Sequence, residues 1–569
     1  MKKRFLAFIV FMAVLCTAFP SFAEETELPI IGSCGEKLTW TYYQSTKTLT
    51  ISGSGAMSDF DWQTGRMLAP WVKDNNIYNY LETVVISDGV TSIGEHAFYY
   101  CENLKNITIP SSVKSIGMGA FYSCKALTGI TIPNGTESIG EDAFKYCDGL
   151  KEVSVPGSVK SIGDGAFSDC YEEKRDDNDN IISVRGMEKV IIQDGVESIC
   201  DNAFSGCKKL IDVTLPNSIK IIGVSAFQDT GLYDLYEHTG WEVCYIGSHL
   251  IAANQSISGT CTVKPGTKTI AGGAFASCGN LEGITIPDSV VSIGNHAFFS
   301  CSSLKSITIP KNVTSIGDEV FYNCFDLASI NVDSDNLAYC SEGGVLYNKE
   351  KTEIIRYPKE KSGALFAIPD GVTSISVGAF ADCSSLTSVT IPNSVTSIGR
   401  EAFSTCSALT SITIPDGVSI IDQKTFYGCS GLTSITIPNS VLIIGENAFE
   451  GCRTSMKVYY TGSEADWSEV IGDGKSVLKD TNIYYCKGIT AMRNDDGTIK
   501  VSPNKIESGT VILALYGGDK GDKLIEMQSE QYSGTKITFI PTKTYTRAKV
   551  MIWNSLSGMS PVCDFKIVK

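Results

Sequence analysis

A repeat of 23 residues limits this chain to a small number of folds. An Ile-Gly pair, or a close variant of it, recurs thirteen times in 569 residues, and nine of the twelve intervals between copies are 23 residues long. A fixed period of this length is typical of solenoids, because a unit too small to bury its own apolar side chains stacks on its neighbours. The repeated isoleucines are Ile93, Ile116, Ile139, Ile162, Ile199, Ile222, Ile270, Ile293, Ile316, Ile375, Ile398, Ile421 and Ile444.

One unit reads C-x-x-L-x-x-I-T-I-P-x-x-V-x-x-I-G-x-x-A-F-x-x-C, as in residues 101–124. The run Ile107, Thr108, Ile109 alternates apolar and polar residues, which predicts a strand with Thr108 pointing outwards. Pro110 ends that strand because proline has no N–H to donate. Val-x-x-Ile-Gly predicts a second extended arm, and Ala-Phe is expected to close the coil in a short helical turn. The fold class is therefore a mainly β solenoid of about 13 coils with a parallel sheet.

Cysteine spacing indicates packing rather than disulfide or metal chemistry. Twelve of the 20 cysteines lie three residues after the repeat phenylalanine, where a small, often buried side chain fills a tight corner. Stacked cysteines have Cα atoms about 4.8 Å apart, which a disulfide allows, but parallel side chains do not easily reach the required torsion. We expect buried free thiols, with some disulfides as the alternative and Cys244–Cys261 as the first candidate pair. No C-x-x-C pair occurs, so no metal site is predicted.

The first 23 residues have the features of a secretory signal peptide. Lys2, Lys3 and Arg4 precede an apolar run, and the segment 21–23 offers a small-residue cleavage site. A retained membrane anchor is the alternative. The formal net charge of −16 becomes more negative once three cationic residues are removed. Such a chain repels nucleic acid and anionic lipid, and no later apolar run reaches membrane-spanning length. We therefore expect neither nucleic-acid binding nor membrane insertion after signal cleavage.

Candidate catalytic residues are few. Of the four histidines, His96 and His296 occupy a variable position before Ala-Phe, whereas His238 and His249 share an insertion with a cysteine. A Cys–His nucleophile pair can be built there, but an ordinary surface hairpin is the simpler interpretation. The acidic run 172–180 lacks the glycine and the final acid of an EF-hand loop, and is expected to be a solvated charged loop. The chain is therefore predicted not to be an enzyme and to need no cofactor.

The outward side of the first-arm strands is flat, small and rich in hydroxyl groups. Threonine suits an exposed strand in any case, so a purely structural column is one interpretation. A contact surface is the other, since solenoids commonly bind along an extended face. The candidate ligand-binding residues are Thr108, Thr131, Thr285, Thr308, Thr390, Thr413 and Thr436.

The pattern L-x-x-I-x-I followed by V-x-x-I-G-x-x-A-F-x-x-C resembles the BspA-like (Treponema-type) bacterial leucine-rich repeat, over about residues 84–460. The resemblance implies a β cap at 24–83 and a second cap at 461–486. It also implies extra hairpins in the insertions near 231–260 and 334–366; a further insertion lies near 171–186.

The last segment departs from the repeat. From residue 487 to 569, short alternating runs such as TVILALYG and AKVMIWNS are separated by Gly, Asp, Asn and Pro. This pattern predicts an antiparallel β-sandwich domain.

Members of the family that the repeat resembles include adhesins. The resemblance therefore implies a secreted or cell-surface protein that binds host or bacterial surface proteins, with an extracellular protein or glycan as its ligand. A cell-envelope scaffold without an adhesive role is the alternative, and an enzyme comes third. The identity of the ligand, the means of retention on a cell and the oligomeric state are left open by the sequence.

Overall fold

The computed structural model of the chain describes seven strands between residues 490 and 566 and, before them, residues 28–61, 68–73, 76–233, 242–480 and 482–485. The predicted signal peptide at 1–23 lies outside the described residues. Within the described part, no helix combines the length and the apolar character that a membrane crossing requires.

Except in the coil that contains Thr131, the first arm is a short strand that pairs in parallel with the strand of an adjacent coil, as Ile412 does with Ile435. In Ser306–Ile309 the two isoleucines are buried, and the other two residues face solvent. Alternation of period two thus buries one side of the strand, as predicted. The first-arm strands are Thr83–Ile86, Asn106–Thr108, Glu152–Val155, Lys189–Ile192, Asp212–Thr214, Ser258–Thr262, Asn280–Thr285, Ser306–Ile309, Ser329–Val332, Leu365–Ala367, Ser388–Thr390, Ser411–Thr413, Ser434–Ile437, Lys457–Tyr460 and Asn482–Tyr485.

The second arm is shorter and ends, in the repeats, at the isoleucine of the Ile-Gly pair. Ser115–Ile116 pairs in parallel with Ser138–Ile139, and both isoleucines are buried. Two parallel ladders therefore follow the stack of coils, and the predicted parallel-sheet solenoid is confirmed. The second-arm strands are Gly55–Ala56, Val90–Ile93, Ser115–Ile116, Ser138–Ile139, Ser161–Ile162, Ser198–Ile199, Ile221–Ile222, Thr269–Ile270, Ser292–Ile293, Ser315–Ile316, Ser374–Ile375, Ser397–Ile398, Ile420–Ile421 and Ile443–Ile444.

The Ala-Phe end of the coil is not helical. In all thirteen coils the residue before Ala-Phe (or its variant) and the second residue after the phenylalanine have positive φ, for example His96 at 52° and Tyr100 at 57°. This left-handed backbone directs alternate N–H groups along the stack, so His96, Phe98 and Tyr100 donate to carbonyls of the next coil. A helix would direct those N–H groups into its own preceding turn. The predicted helical turn is therefore wrong.

Phenylalanine rings and thiols form two columns inside the coils. The rings of Phe144 and Phe167 have centroids 5.0 Å apart and lie within 7° of parallel. Beside them, Cys147 donates to the carbonyl of Phe121 at 3.2 Å, and other ladder cysteines repeat this contact. The cysteines whose side chains the structure describes form no disulfide, and Cys244 and Cys261 are not bonded to each other. The candidate pair Cys244–Cys261 is therefore wrong, and the prediction of buried thiols is confirmed.

The three insertions form antiparallel ribbons. The insertion near 171–186, expected to be a loop, contains the paired strands Tyr171–Arg175 and Ile181–Gly186. The hairpins expected in the other two insertions are present, and a third strand is added in the last. Their strands are Val243–Ile246, His249–Ala253, Tyr339–Glu342, Val345–Asn348 and Glu353–Arg356.

The last insertion also supplies a partial coil that the count of thirteen does not include. Its strand Glu353–Arg356 pairs in parallel with Ser374–Ile375. Tyr357 then continues the aromatic column, with its ring centroid 5.4 Å from that of Phe380. In the regular stack, each coil accepts hydrogen bonds from the coil before it. For the coil of Phe380, the donors are instead the backbone N–H of Tyr357 and the guanidinium of Arg356.

Short elements close both ends of the stack. At the first end, an antiparallel meander leads into the coils, and Trp71 stacks on Phe98 with ring centroids 5.3 Å apart. At the second end, Asn482–Tyr485 adds a final parallel strand. The remaining cap elements are the strands Ile30–Gly35, Leu38–Tyr43 and Thr48–Gly53, the helices Pro70–Lys73 and Glu464–Ser468, and the 3-10 helices Ile77–Asn79 and Asp473–Asp480.

The C-terminal segment contains two sheets, one of three strands and one of four, and all of their described pairings are antiparallel. This agrees with the antiparallel arrangement predicted for 487–569, and the face-to-face packing of a sandwich stays a prediction. The strands are Thr490–Arg493, Ile499–Ser502, Gly509–Gly517, Lys523–Tyr532, Ile537–Phe539, Arg547–Trp553 and Cys563–Lys566.

Candidate functional site

The first-arm threonines form an interrupted row on the solvent side of the solenoid. Thr108, Thr285, Thr308 and Thr390 are exposed, and Thr413 is half-buried. The first-arm strands do not form one sheet but four, because two insertions and one irregular coil separate them. The row is therefore a series of short hydroxyl-bearing segments rather than one continuous column.

Thr131 lies in the irregular coil. Its side chain is exposed as predicted, but the structure describes no first-arm strand between Asn106–Thr108 and Glu152–Val155. Across these described residues, the segment 128–132 forms no backbone hydrogen bond with either neighbouring coil. Gly129 lies within the segment, and glycine weakens a strand because it loses the most conformational freedom on ordering. The predicted strand position of Thr131 is therefore wrong.

Thr436 is only 7% exposed, so its assignment to the exposed face is also wrong. It pairs with Tyr459, which in turn pairs with Tyr484. The two tyrosine rings stack with centroids 5.2 Å apart, and burial raises the pKa of Tyr459 to about 12. An aromatic pair therefore ends the threonine row and lies beside Thr436.

Two rows of threonine differ in what their hydroxyl groups do. Thr387, Thr410 and Thr433 each donate to a carbonyl one coil earlier, at 3.0, 3.1 and 2.9 Å. In the same coils, the side chains of Thr390 and Thr413 form no hydrogen bond with the residues that the structure describes. The first row fastens coil to coil, whereas the second leaves hydroxyl groups available to solvent or a ligand.

The charge of this face changes along the solenoid. Near its start, Glu82 accepts from Lys105 at 2.7 Å and from Lys47 at 2.6 Å. These hydrogen bonds lower the pKa of Glu82 to about 2. Farther along, Lys305 pairs with Glu282 at 2.6 Å. In the last coils the same register carries threonines, so that part of the face is an uncharged hydroxyl surface.

His249 is held inside the second insertion. Its Nδ1 lies 2.8 Å from Thr269 Oγ1, and its Nε2 lies 3.0 Å from the Pro216 carbonyl oxygen. Burial lowers its pKa. Since both ring nitrogens are engaged, this imidazole fastens the hairpin to the coils. Its predicted companion, His238, lies outside the described residues.

The other two histidines also link coils. His96 Nδ1 lies 3.0 Å from the Phe60 carbonyl oxygen. His296 Nε2 lies 3.0 Å from a carboxylate oxygen of Glu319, which also binds Arg400 at 2.8 Å. The hydrogen bond from His296 to Glu319 raises the pKa of the imidazole. The variable position before Ala-Phe therefore carries coil-to-coil contacts.

The acidic run 172–180 uses its carboxylate for local structure. Asp176 Oδ1 accepts from the backbone N–H groups of Asn178 and Asn180, both at 2.9 Å. Among the residues that the structure describes, no group of three or more His, Cys, Asp or Glu side chains is placed to hold a metal ion.

Sequence reasoning missed six residues of the outward row, which are Val85, Ile191, Thr262, Ala367, Tyr459 and Tyr484. Ile191 is 37% exposed and lies in register between Ser154 and Thr214. Tyr459 and Tyr484 extend the row beyond Thr436. Each of the six lies in a coil that departs from the consensus, and applying the strand register to those coils as well would have identified them.

The model of the family described as BspA type leucine rich repeat region (6 copies) matches residues 75–185, 178–258, 268–362 and 357–465. No curated protein matches the chain.

Solved structures also match. A leucine rich cell surface protein from Faecalibacterium prausnitzii A2-165 is 24% identical, with 78% of this chain and 98% of that chain covered and a TM-score of 0.35. The pneumococcal vaccine antigen PcpA is 19% identical, with coverage of 62% and 93% and a TM-score of 0.33. The leucine rich repeat protein of T. pallidum is 27% identical, with coverage of 32% and 81% and a TM-score of 0.22. Since the family model spans more than half of the residues, the chain belongs to the BspA-type leucine-rich repeat family.

Proposed function

We propose that this chain is a secreted or cell-surface protein without enzymatic activity that binds an extracellular protein or glycan through the outward threonine row of its solenoid. The observation that carries the proposal is the contrast between two rows in the same coils. Thr387, Thr410 and Thr433 bond to the backbone, whereas the hydroxyl groups of Thr390 and Thr413 are not engaged by the described residues.

The chemistry of the surface favours binding over catalysis. Hydroxyl groups on a rigid strand are donors and acceptors held in a fixed pattern, and they need no reordering when a ligand binds. His249 is enclosed between Thr269 and Pro216, which places it out of reach of a substrate. The resemblance to bacterial surface proteins supports a location outside the cell.

The test measures binding of the purified chain to matrix proteins and to a glycan array. The variant Thr390→Lys with Thr413→Lys places two cations in the uncharged part of the face. We expect saturable binding by the unmodified chain and at least a tenfold loss in the variant, or about 1.4 kcal/mol, because a lysine buried against a neutral ligand must lose its hydration.

The matched control is Ser384→Lys with Ser407→Lys, two exposed positions in the same coils but in the turn after the ladder cysteine. It adds the same charge and should leave binding unchanged. Absence of saturable binding to every probe, or an equal loss in the control, would contradict the proposal. Protein recovered only from the cytoplasm of the producing cells would contradict the location.

A further inference from the structure

The second insertion interrupts the hydrogen bonding between two neighbouring coils. In the regular stack, alternate N–H groups of the Ala-Phe segment donate to the next coil, as Phe204 does to Ala226 at 2.8 Å. The next coil has its donors at Ser225, Phe227 and Asp229, and none of these three N–H groups has an acceptor among the described residues. The ladder of Ala-Phe segments therefore stops at this coil and resumes only after the insertion.

A cleft of about 450 Å³ lies at this interruption. The segment 225–229 lines one side of it, and Ala253 and residues of the segment 271–276 line the other. The two sides meet at one end, where the Gly272 N–H donates to the Ile222 carbonyl oxygen at 2.8 Å. This volume is within the range of protein ligand sites, so the cleft is large enough for a ligand.

The side opposite the segment 225–229 carries carbonyl groups without donors. The Ala274 carbonyl accepts from the Ala253 N–H at 2.6 Å, but those of Gly272 and Ala276 accept no hydrogen bond from any residue that the structure describes. At the third insertion, the carbonyl that corresponds to that of Ala276 accepts from the Arg356 guanidinium at 3.2 Å. No described side chain of the second insertion does the same. Backbone groups in a partly enclosed site favour a ligand that pairs with them.

The side chains around the cleft limit what can occupy it. Nine of the described lining residues are glycine or alanine, so the main chain of a ligand can approach closely. The charged side chains in this described lining are those of Asp229 and Glu242, and both are acidic. Three N–H donors alone would suit an anion, but two carboxylates repel an anion and attract a cation. The cleft therefore favours a ligand that carries a positive charge.

We propose that the cleft binds an extended segment of a partner protein that has small side chains and a lysine or arginine at one end. Donors at every second residue of 225–229 match the carbonyl groups along one edge of an extended peptide, which recur at the same interval. The other edge of the peptide donates to the Ala276 carbonyl, and the basic side chain lies beside Asp229 and Glu242. A peptide that adds a strand to an open edge binds in this way.

The regular stack favours a peptide over a glycan as the occupant. Its coils already show the same pairing between two extended segments of this chain, so the cleft offers what the next coil would otherwise bind. None of the described lining residues belongs to a first-arm strand. This inference therefore does not rest on the proposed function, which concerns the outward threonine row.

The test titrates the full purified chain into a labelled, capped peptide of sequence Ala-Val-Ala-Val-Ala-Lys and follows fluorescence anisotropy. The peptide combines small side chains, a preference for extended backbone and one cation. We expect saturable binding that weakens as salt is added, and little binding of the matched peptide that ends in glutamate. Amide hydrogen exchange should slow in 225–229 when the peptide is bound. It should not change in 202–206 of the preceding coil, whose alternate N–H groups are already paired.

A variant that fills the cleft locates the site. Ala276→Tyr adds a ring at a lining position where the next two coils carry Phe299 and Tyr322, so the fold should tolerate it. Peptide binding is expected to fall by about tenfold or more, because the ring takes the space that the peptide needs. Ser205→Tyr is the matched control, since it adds the same ring at the same position of a coil that does not line the cleft. It should leave binding unchanged.

A second variant tests the charge. Asp229→Asn with Glu242→Gln removes both carboxylates and is expected to weaken binding of the lysine peptide by about threefold or more at low salt. Circular dichroism checks that all variants fold, and the charge variant still decides if Ala276→Tyr does not. Absence of saturable binding, equal binding of the two peptides, or unchanged exchange in 225–229 would overturn the inference. So would an equal loss in the two tyrosine variants, or binding of glycans in place of the peptide.

Discussion

At the scale of single residues, the glycine of the Ile-Gly pair is present for close approach and not for an unusual backbone. Gly140 has ordinary φ, but a Cβ atom added to it would lie 2.7 Å from the Met118 backbone nitrogen and 2.8 Å from the Gly117 carbonyl carbon. Real Cβ atoms do not approach backbone so closely. At Gly140 the observed spacing of the coils therefore leaves no room for a side chain, although four other coils carry Cys200, Ala271, Ser376 or Asp422 at this position.

The same coil provides a direct test of this explanation. Gly140→Ala should lower the free energy of unfolding by about 1–3 kcal/mol, because extra atoms in a packed region displace backbone. Gly129→Ala is the matched control, since its added Cβ would have nothing within 4 Å, and it should be neutral or slightly stabilising. Urea unfolding of both variants measures the difference. Equal effects in the two variants would refute the close-approach explanation.

At the scale of elements, the ribbon 171–186 covers an aspartate. Asp148 is 5% exposed, and burial raises its pKa to about 6, with Glu172 adding to the rise and Arg185 opposing it. A raised pKa means that the folded state binds this proton more tightly than the unfolded state does. Ionisation of Asp148 therefore costs stability as the pH rises from about 4 to about 6, by at most about 3 kcal/mol.

We therefore expect the stability of the coils beneath the ribbon to rise when the pH falls from 7 to 5. Asp148→Asn should be more stable than the unmodified chain at pH 7 and should lose this part of the pH dependence, because the amide stays neutral. Urea midpoints across this pH range measure the effect. The exposed Asp326→Asn serves as the control. An unchanged pH profile in Asp148→Asn would show that the buried carboxyl does not titrate in this range.

At the scale of the whole molecule, the apolar core divides at the last insertion. One group of contacting buried side chains extends from the N-terminal cap to Leu346, and a second begins at Val345 and continues to Leu478. Val345 and Leu346 are thus neighbours in the strand Val345–Asn348 but belong to different cores. Solenoid coils interact mainly with their neighbours, so a break of this kind interrupts the cooperativity of the stack.

This division predicts two unfolding transitions in the solenoid. Leu150→Ala and Leu409→Ala each remove a fully buried side chain, one from each core, and each should cost about 2–5 kcal/mol. We expect each variant to lower the midpoint of one transition and to leave the other in place. Differential scanning calorimetry of the two variants and the unmodified chain measures this. A single transition that both substitutions lower equally would mean that the insertion transmits cooperativity.

Part of the candidate site could be foreseen from the sequence alone. Thr285, Thr308 and Thr390 are exposed on first-arm strands because an alternating Ile-Thr-Ile run, or its Val-Thr-Ile variant, gives its central residue to solvent in any regular coil. Thr131 and Thr436 have the same local sequence but different surroundings. Thr131 lies in an arm that does not pair with its neighbours as a strand. Thr436 lies beside a tyrosine from a coil that no longer follows the consensus.

The repeat pattern is sufficient to predict the solenoid, its period, the two parallel arms and the columns of phenylalanine and cysteine. It could do so because each coil is surrounded by near copies of itself, so a local pattern also specifies its own environment. The left-handed turns, the breaks between sheets, the burial of Thr436 and the paired strands of the ribbon 171–186 became evident only in the three-dimensional structure. These depend on what lies beside an irregular segment, and an unrepeated contact leaves no periodic trace in the sequence.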